Sequence, residues 1–491
     1  MNAHTGEKPV QWTEEGLTRA FSGCGDVTFY AAYYGDATQE KVLLVYSEGL
    51  CRTNEIGRTV LPELERTYAE KGGFFGSKGA FSGRLPLKPA APDFDRLAAN
   101  VFNGELLLLF EHRQRICVLN IDDKPSRSPM DSNTEISIKG PRDCFVEDLM
   151  INIALIRKRF RNTSLQVEFD TAGRRSHTRI GLLYVRDITS PVLLEELRRR
   201  LSRIDTDSIY STAHLEELLT ASKFKIMPMM DFTGRPDYAV NSLLAGRAVL
   251  IVDGLPMVLI APAGISLILK SPEDAHFNYV YVSFARIIRA LCFFLSIFLP
   301  AIWVALVAFH QDQIPFRLLA TISITRIGLP FSAAMEMFLL LTLLEIFREA
   351  GIRLPNSIGQ TLTSIGGLII GDAAIRAGLV SPSVVVVGAI TAVSGVTLVN
   401  QTISTQVSIF RLFFFFMAAL LGMYGVILGM VLLLGYMGSL QSFGMSYFAP
   451  FAPFKANGAL LSFLRAPWSY MVKRPSDTHP IDGDRRKEEG E

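Results

Sequence analysis

Between residues 288 and 454 the chain carries no lysine, and its only formal charges there are seven arginines and five acidic residues. Charged side chains cost several kcal/mol in hydrocarbon, and a helix of about 20 apolar residues crosses a bilayer, so a stretch this poor in charge reads as a membrane domain. Residues 290–309 and 412–436 are free of charge and are each expected to form one spanning helix. Arg286 and Arg289 flank the first of these, as expected on a cytoplasmic side. Residues 382–399 read as a further span. Residues 332–347 and 358–379 carry ionisable groups, and 314–329, with Arg317 and Arg326, reads as interfacial or re-entrant. Four to six spans are expected.

The first 287 residues have ordinary charge density and short strand and helix patterns. Residues 27–33 and 41–46 are strand-like, 59–71 form a helix ended by Gly72–Gly73, and 104–110 with 115–121 form a hairpin. A polar, proline-containing segment, 123–133, reads as a linker. Beyond it, 143–160 places Phe145, Leu149, Ile153 and Ile156 on one helical face, 165–169 and 178–185 are strands, 191–204 is a helix, and 248–252 with 256–261 form a hairpin through Asp253–Gly254. The expected fold class is an α+β soluble N-terminal half of two small mixed domains, 1–122 and 134–287. An α-helical polytopic membrane domain, 288–454, and a basic tail, 455–491, follow. The N-terminus has no apolar signal core, which puts the soluble half on the cytoplasmic side, and the basic character of the tail favours the same side and an even number of spans.

The near-neutral net charge, +2, gives no reason to expect a nucleic-acid partner. The five cysteines form no C-x-x-C pair, HExxH and GxSxG are absent, and Lys78 after Gly76–Ser77 lacks phosphate-loop spacing. No enzyme, metal or cofactor is expected. Arg198, Arg199 and Arg200 form either a solvated helix face or a contact for phosphates or anionic lipid.

Three constellations in the membrane half stand out. Glu345 and Arg348 are spaced i,i+3, and Glu349 and Arg353 i,i+4, just before Pro355, so both pairs sit at a helix end. They form either a structural ion-pair network or the lining of a vestibule or gate. Thr391, Ser394, Thr397 and Gln401 share one side of one helix, with Thr361 and Ser364 on the preceding segment. Such hydroxyls either bond to their own helix or line a hydrated path. Gly367 with Gly371, and Gly425 with Gly429, are GxxxG pairs, with Gly422 beside the second, and mark close helix packing.

GPRDCFVEDLMINIALIRKRF (140–160), SPED (271–274), FREAGIRLPNSIGQ (347–360) and FGMSYFAPFAP (443–453) resemble the A subunits of the GerA-type spore germination receptors. The resemblance runs from about residue 20 to 468. Cys144 stands where a glycine is usual and Asn400 where a proline is expected. The resemblance implies a multi-pass protein of the spore inner membrane. Its implied partners are a transporter-like B subunit that binds the nutrient and a lipoprotein C subunit. It also implies a homo-oligomer, a pentamer, forming a nutrient-gated channel that releases monovalent cations. A paralogue of the spore-stage VA operon type fits the same motifs. On the channel reading Thr391, Ser394 and Thr397, or Thr361 and Ser364, line the path, and Glu345 and Glu349 form a cation-selecting ring. A secondary transporter, or a non-conducting scaffold or signalling subunit in contact with membrane lipid, are the alternatives.

Overall fold

The computed structural model describes residues 12–35, 40–76, 81–90, 93–123, 137–220, 226–352, 371–398 and 401–486, without the side chains of 401, 402, 457 and 468. In the first soluble unit, α1 (Glu14–Ala20) precedes β1 (Val27–Tyr34) and β2 (Glu40–Ser47). Then come α2 (Leu61–Lys71), β3 (Lys88–Pro89), α3 (Phe94–Val101), β4 (Glu105–Phe110) and β5 (Arg115–Asn120). The strands make one antiparallel sheet in the order β1-β2-β4-β5-β3. Central strands such as ELLLLF are apolar on consecutive positions because both faces of the sheet are covered, one core lying on each side.

The second unit repeats this plan with one helix added. It comprises α4 (Leu149–Arg157), β6 (Leu165–Ala172), β7 (Thr178–Val185), α5 (Pro191–Leu201), α6 (Thr212–Leu219), β8 (Asp231–Thr233), α7 (Pro236–Leu244), β9 (Ala248–Val252) and β10 (Val258–Ala261). Its sheet order, β6-β7-β9-β10-β8, is the first order shifted by five, with a second helix in place of one before the short strand. The two sheets are stitched together at their ends. Val167 donates to the Gly23 carbonyl at 2.8 Å and accepts from the Gly25 amide at 3.0 Å. Beside this bridge Arg157 and Asp26, both fully buried, form a bidentate pair at 2.7 and 2.8 Å. The Arg157 guanidinium also donates to the Asn162 and Leu165 carbonyls and lies 4.1 Å from the centre of the Phe102 ring. A buried charge is tolerable when its hydrogen bonds are spent in this way.

The helix expected over 143–160 is shorter, Leu149–Arg157. Asp148 caps it by accepting from the Ile151 amide, and the Asn152 side chain holds the preceding segment extended through both polar groups of Val146. The arginines expected on an open helix face are paired within the unit: Arg198 with Glu168, and Arg199 and Arg200 with Glu196.

The helical half starts at α8 (Tyr279–Ala308), eight residues earlier than its expected border at 287, and α8 runs into the apolar segment without interruption. It is followed by α9 (Phe316–Arg326), α10 (Ala333–Ile352), α11 (Pro382–Val396), α12 (Gln401–Ser439) and α13 (Ala456–Phe463). Residues 412–436 are not one straight span. Gly422 has φ 62° and ψ −142°, and the helix folds back there into two arms. A Cβ on Gly425 would lie 2.1 Å from the Met417 carbonyl oxygen, and one on Gly429 would lie 2.8 Å from the Phe414 ring, approaches that a straight helix does not make. The turn rests on the end of α8, where a Cβ on Gly422 would meet Phe309 and His310 at about 3 Å. Among the described residues, two helices, Tyr279–Ala308 and the folded Ile403–Ser439, are apolar and long enough to cross a membrane.

After the second arm the chain returns to the second soluble unit. Phe443 and Met445 enter the core under β7, β9 and β10, and the Tyr447 carbonyl accepts from the Ile265 amide. The tail docks on the same unit. Thr478 donates to the Ala245 carbonyl, Ile481 to that of Ile188, and Asp477 pairs with Arg247.

Candidate functional site

Contacts along the helices of the membrane half set their relative levels. The carboxylate of Glu336, near the start of α10, accepts from the amide of Ser381, at the start of α11, and a Cβ on Gly388 would meet Leu340. Thus α10 and α11 run side by side in the same direction. Farther along α10, Glu345 and Arg348 meet the first arm of α12 at Arg411 and Ser404.

Two ion centres result. In the first, Glu336 is fully buried. Its carboxylate accepts from Ser381 N at 2.9 Å and from Arg326 Nε at 3.3 Å, so one acid caps α11 and ties it to α9. In the second, Glu345 lies between two arginines. Arg348 reaches it from one turn along, and Arg411 donates from Nη2 to Glu345 Oε2 at 2.9 Å and to Ser408 Oγ at 3.0 Å. Arg348 Nη1 donates to the Ser404 carbonyl at 2.9 Å. The three charges leave one net positive charge. Among the described residues, Arg411 Nε and Gln406 Oε1 are buried without a partner.

Of the residues singled out by sequence, Glu345 and Arg348 meet here, while Glu349 lies on the exposed side of α10. Arg353, Thr361, Ser364 and Gly367 lie outside the described residues, as does the side chain of Gln401. Thr391 and Ser394 are buried within the protomer, on the face of α11 that also buries Val384 and Val387. Thr391 donates to the Val387 carbonyl at 2.8 Å and Thr397 to that of Ser394 at 2.7 Å. Val386, Ile390, Val393 and Val396 form the outward face of this helix. A Cβ on Gly371 would make ordinary contact with Val385, whereas Gly425 and Gly429 lie where the arms of α12 approach most closely.

Sequence reasoning passed over Glu336 and Arg411. The available signal was a lone acid in AAMEMF and a lone arginine in IFRLFFFF, each inside an apolar run with no neighbour of opposite charge to mark it.

A second charged cluster joins the soluble half to α8. Arg235, almost fully buried, pairs with Asp237 and Glu273, and His276 Nε2 lies 2.9 Å from Asp237. Burial pushes the Asp237 and Glu273 carboxyls up, but hydrogen bonds from Arg235 outweigh it and hold both below the usual range. One residue on, Asp274 closes a capping box with Ser271 and pairs with Arg286 and Arg289 of α8.

A duplicated α/β soluble half, fused through buried ion clusters to a helical half with charges inside apolar helices, defines a membrane subunit with an attached soluble platform. The chain belongs to the GerA family of spore germination proteins, the A-type subunits of germination receptors: the family model described as "Bacillus/Clostridium GerA spore germination protein" matches residues 15–477. It is 39% identical to "Spore germination protein XA" of Bacillus anthracis over 98% of both chains. It is 33% identical to "Spore germination protein KA" of Bacillus subtilis (strain 168), over 93% of this chain and 84% of that one. Among solved structures it is similar to the N-terminal domain of the A subunit of the Bacillus megaterium spore germinant receptor GerK3. That likeness has 22% identity and a TM-score of 0.39, and covers 52% of this chain and 95% of that one. Family membership carries association with the spore inner membrane.

Proposed function

We propose that the chain is the A subunit of a nutrient-responsive receptor, that several copies, five on the family resemblance, surround a gated cation path, and that the Glu345–Arg348–Arg411 centre is part of the gate. The observation that carries the reading is the centre itself. A passive anchor has no need of three charges at membrane depth, and ionisable groups kept there are functional by default. Opening would exchange the two arginines on Glu345 for water, freeing its carboxylate toward a cation path beside Glu349. A transporter-like B subunit supplying nutrient recognition and a lipoprotein C subunit are the proposed partners.

The proposed topology has the soluble half and tail on the core side of the spore inner membrane, with an even number of crossings. The supporting observation is that the tail and the segment after α12 dock on the second soluble unit.

One observation favours the scaffold reading: Thr391 and Thr397 spend their hydroxyls on their own helix, and Thr391 and Ser394 face the protomer interior. The broken helix at Gly422 is the feature in common with secondary transporters. Conductance of the purified receptor in planar bilayers separates these readings. A nutrient-dependent cation current that changes in Glu345→Gln supports the gate. No current at any nutrient level with all partners present overturns it.

A further inference from the structure

Where α8 leaves the soluble half, cations outnumber acids. Asp274 is the acceptor for Arg286 Nε at 2.9 Å and Arg289 Nη2 at 2.6 Å, and its backbone carbonyl accepts from Arg465. Lys270 stands beside the same group, within electrostatic reach of Arg286 and Asp274, and among the described residues has no hydrogen-bond partner. Asp477, the other acid nearby, is already bonded by Arg247 and Ser266. Two arginines thus share one carboxylate with Lys270 beside it, while Arg465 is held by the Asp274, Ala275 and Phe277 carbonyls.

Two donors remain unspent. Among the described residues, Arg289, more than nine-tenths buried, has its Nη1 without a partner, and the partly exposed Lys270 ammonium makes no hydrogen bond to the protein. Burial first, and the neighbouring Arg286 second, push the Lys270 amine down to about 8. A buried guanidinium nitrogen without an acceptor is destabilising, so an anion here is favoured.

The surroundings identify the kind of anion. Directly beside the cations, α8 exposes Phe284, Ile287, Ile288 and Leu291. Helix α13, whose Leu461 carbonyl accepts from Arg286, exposes Leu460 and Leu461. Cations bordered by exposed apolar side chains at the root of a spanning helix match the headgroup level of a membrane, where a phosphate meets acyl chains.

We propose that Lys270, Arg286 and Arg289 bind the phosphate of an anionic lipid headgroup, whose acyl chains lie along the exposed apolar face of α8. The lipid supplies the acceptor that Arg289 Nη1 lacks and a counter-charge for Lys270. Because Lys270 belongs to the soluble half and both arginines to α8, the bound headgroup also ties these two parts of the chain together. The site is independent of whether the membrane half conducts.

The test uses full-length protein in neutral detergent, titrated with phosphatidylglycerol, phosphatidylcholine or inorganic phosphate, with bound lipid per chain read by native mass spectrometry. Phosphatidylglycerol is expected to be retained and phosphatidylcholine not. Lys270→Gln breaks no hydrogen bond of the protein and so keeps the fold, and it should weaken phosphatidylglycerol retention about fivefold. Lys270→Gln with Arg286→Gln should weaken it about twentyfold or more. Equal retention of the two lipids by the wild-type chain, or undiminished retention by Lys270→Gln, overturns the proposal. Inorganic phosphate displacing phosphatidylglycerol at equal concentration overturns the lipid assignment in favour of a soluble anion.

Discussion

Glu345 accepts from two guanidinium groups, and that asymmetry makes its removal worse than the loss of either arginine. Glu345→Gln leaves Arg348 and Arg411 facing each other without a counter-charge at membrane depth. Arg411 is 8% exposed, so losing its acid leaves a largely buried guanidinium unpaired and destabilises the fold. Arg411→Met keeps the Glu345–Arg348 pair and removes the unpartnered Nε, so it should cost less than half as much. Thermal unfolding in detergent tests the order of the two, and an Arg411→Met protein less stable than Glu345→Gln would mean that Glu345 is not the keystone. Lys270 makes a second residue-level prediction. Its amine titrates near 8 in the folded chain, against about 10.4 in an unfolded one. Between these values the unfolded chain holds more protons, so stability rises with pH across the window from about 8 to 10.4. Lys270→Met should flatten that part of the stability–pH curve, and an identical curve for the variant would refute the assignment. Asp237 works the other way: its depressed carboxyl stabilises above the unfolded carboxylate range, and that stability is lost as pH falls through the lower folded value.

The element scale shows what a one-dimensional pattern can and cannot carry. Strands 27–34, 40–47 and 178–185 were legible because β-branched and aromatic runs between turn residues are a local signal. The helix over 143–160 was drawn too long because its apolar spacing continues through Phe145, whereas the Asn152 side chain, not hydropathy, holds 146 extended. The ends of α8 and α10 were shifted for a related reason, since apolar content marks where lipid begins and says little about where a helix starts. The break at Gly422 escaped because both arms of α12 are equally apolar, so a hydropathy window slides over the turn without registering it. Within the candidate site, Glu345–Arg348 was readable as an i,i+3 pair, but Arg411 comes 63 residues later in the chain than Arg348 and only folding brings it to Glu345. The hairpin yields its own prediction. Gly425→Ala puts a methyl against a backbone carbonyl that cannot rotate away, while Gly435 has open space around it. Gly425→Ala should therefore lower the melting temperature and yield of the membrane half, and Gly435→Ala should leave both near wild type. Equal behaviour of the two variants would argue that the arms do not pack as described.

At the scale of the whole molecule the governing feature is duplication followed by fusion. Two copies of one α/β plan are joined end to end, and the second copy then holds the root of α8, the segment after α12 and the tail. The Gly23–Val167 bridge, the close approach of Gly49 to Met150 and the Asp26–Arg157 pair lie between the copies. Because both groups are fully buried, each depends on the other. Arg157→Met leaves a carboxylate in the core and Asp26→Asn leaves a guanidinium there, and each should destabilise the soluble half by about 3–5 kcal/mol. Removing both charges together, as Arg157→Met with Asp26→Leu, eliminates the unpaired ion and should recover most of that loss, giving a large favourable coupling in a double-mutant cycle. The same double variant loses the hydrogen bonds from Arg157 to the Asn162 and Leu165 carbonyls, which orient the start of β6 toward the first copy. If the pair orients the copies as well as stabilising them, the double variant should be stable yet impaired in nutrient-triggered germination when it replaces the wild-type chain in spores. Denaturant unfolding and germination assays on the same three variants separate the two contributions, and a double variant that is both stable and fully responsive would show that the pair only fills the interface.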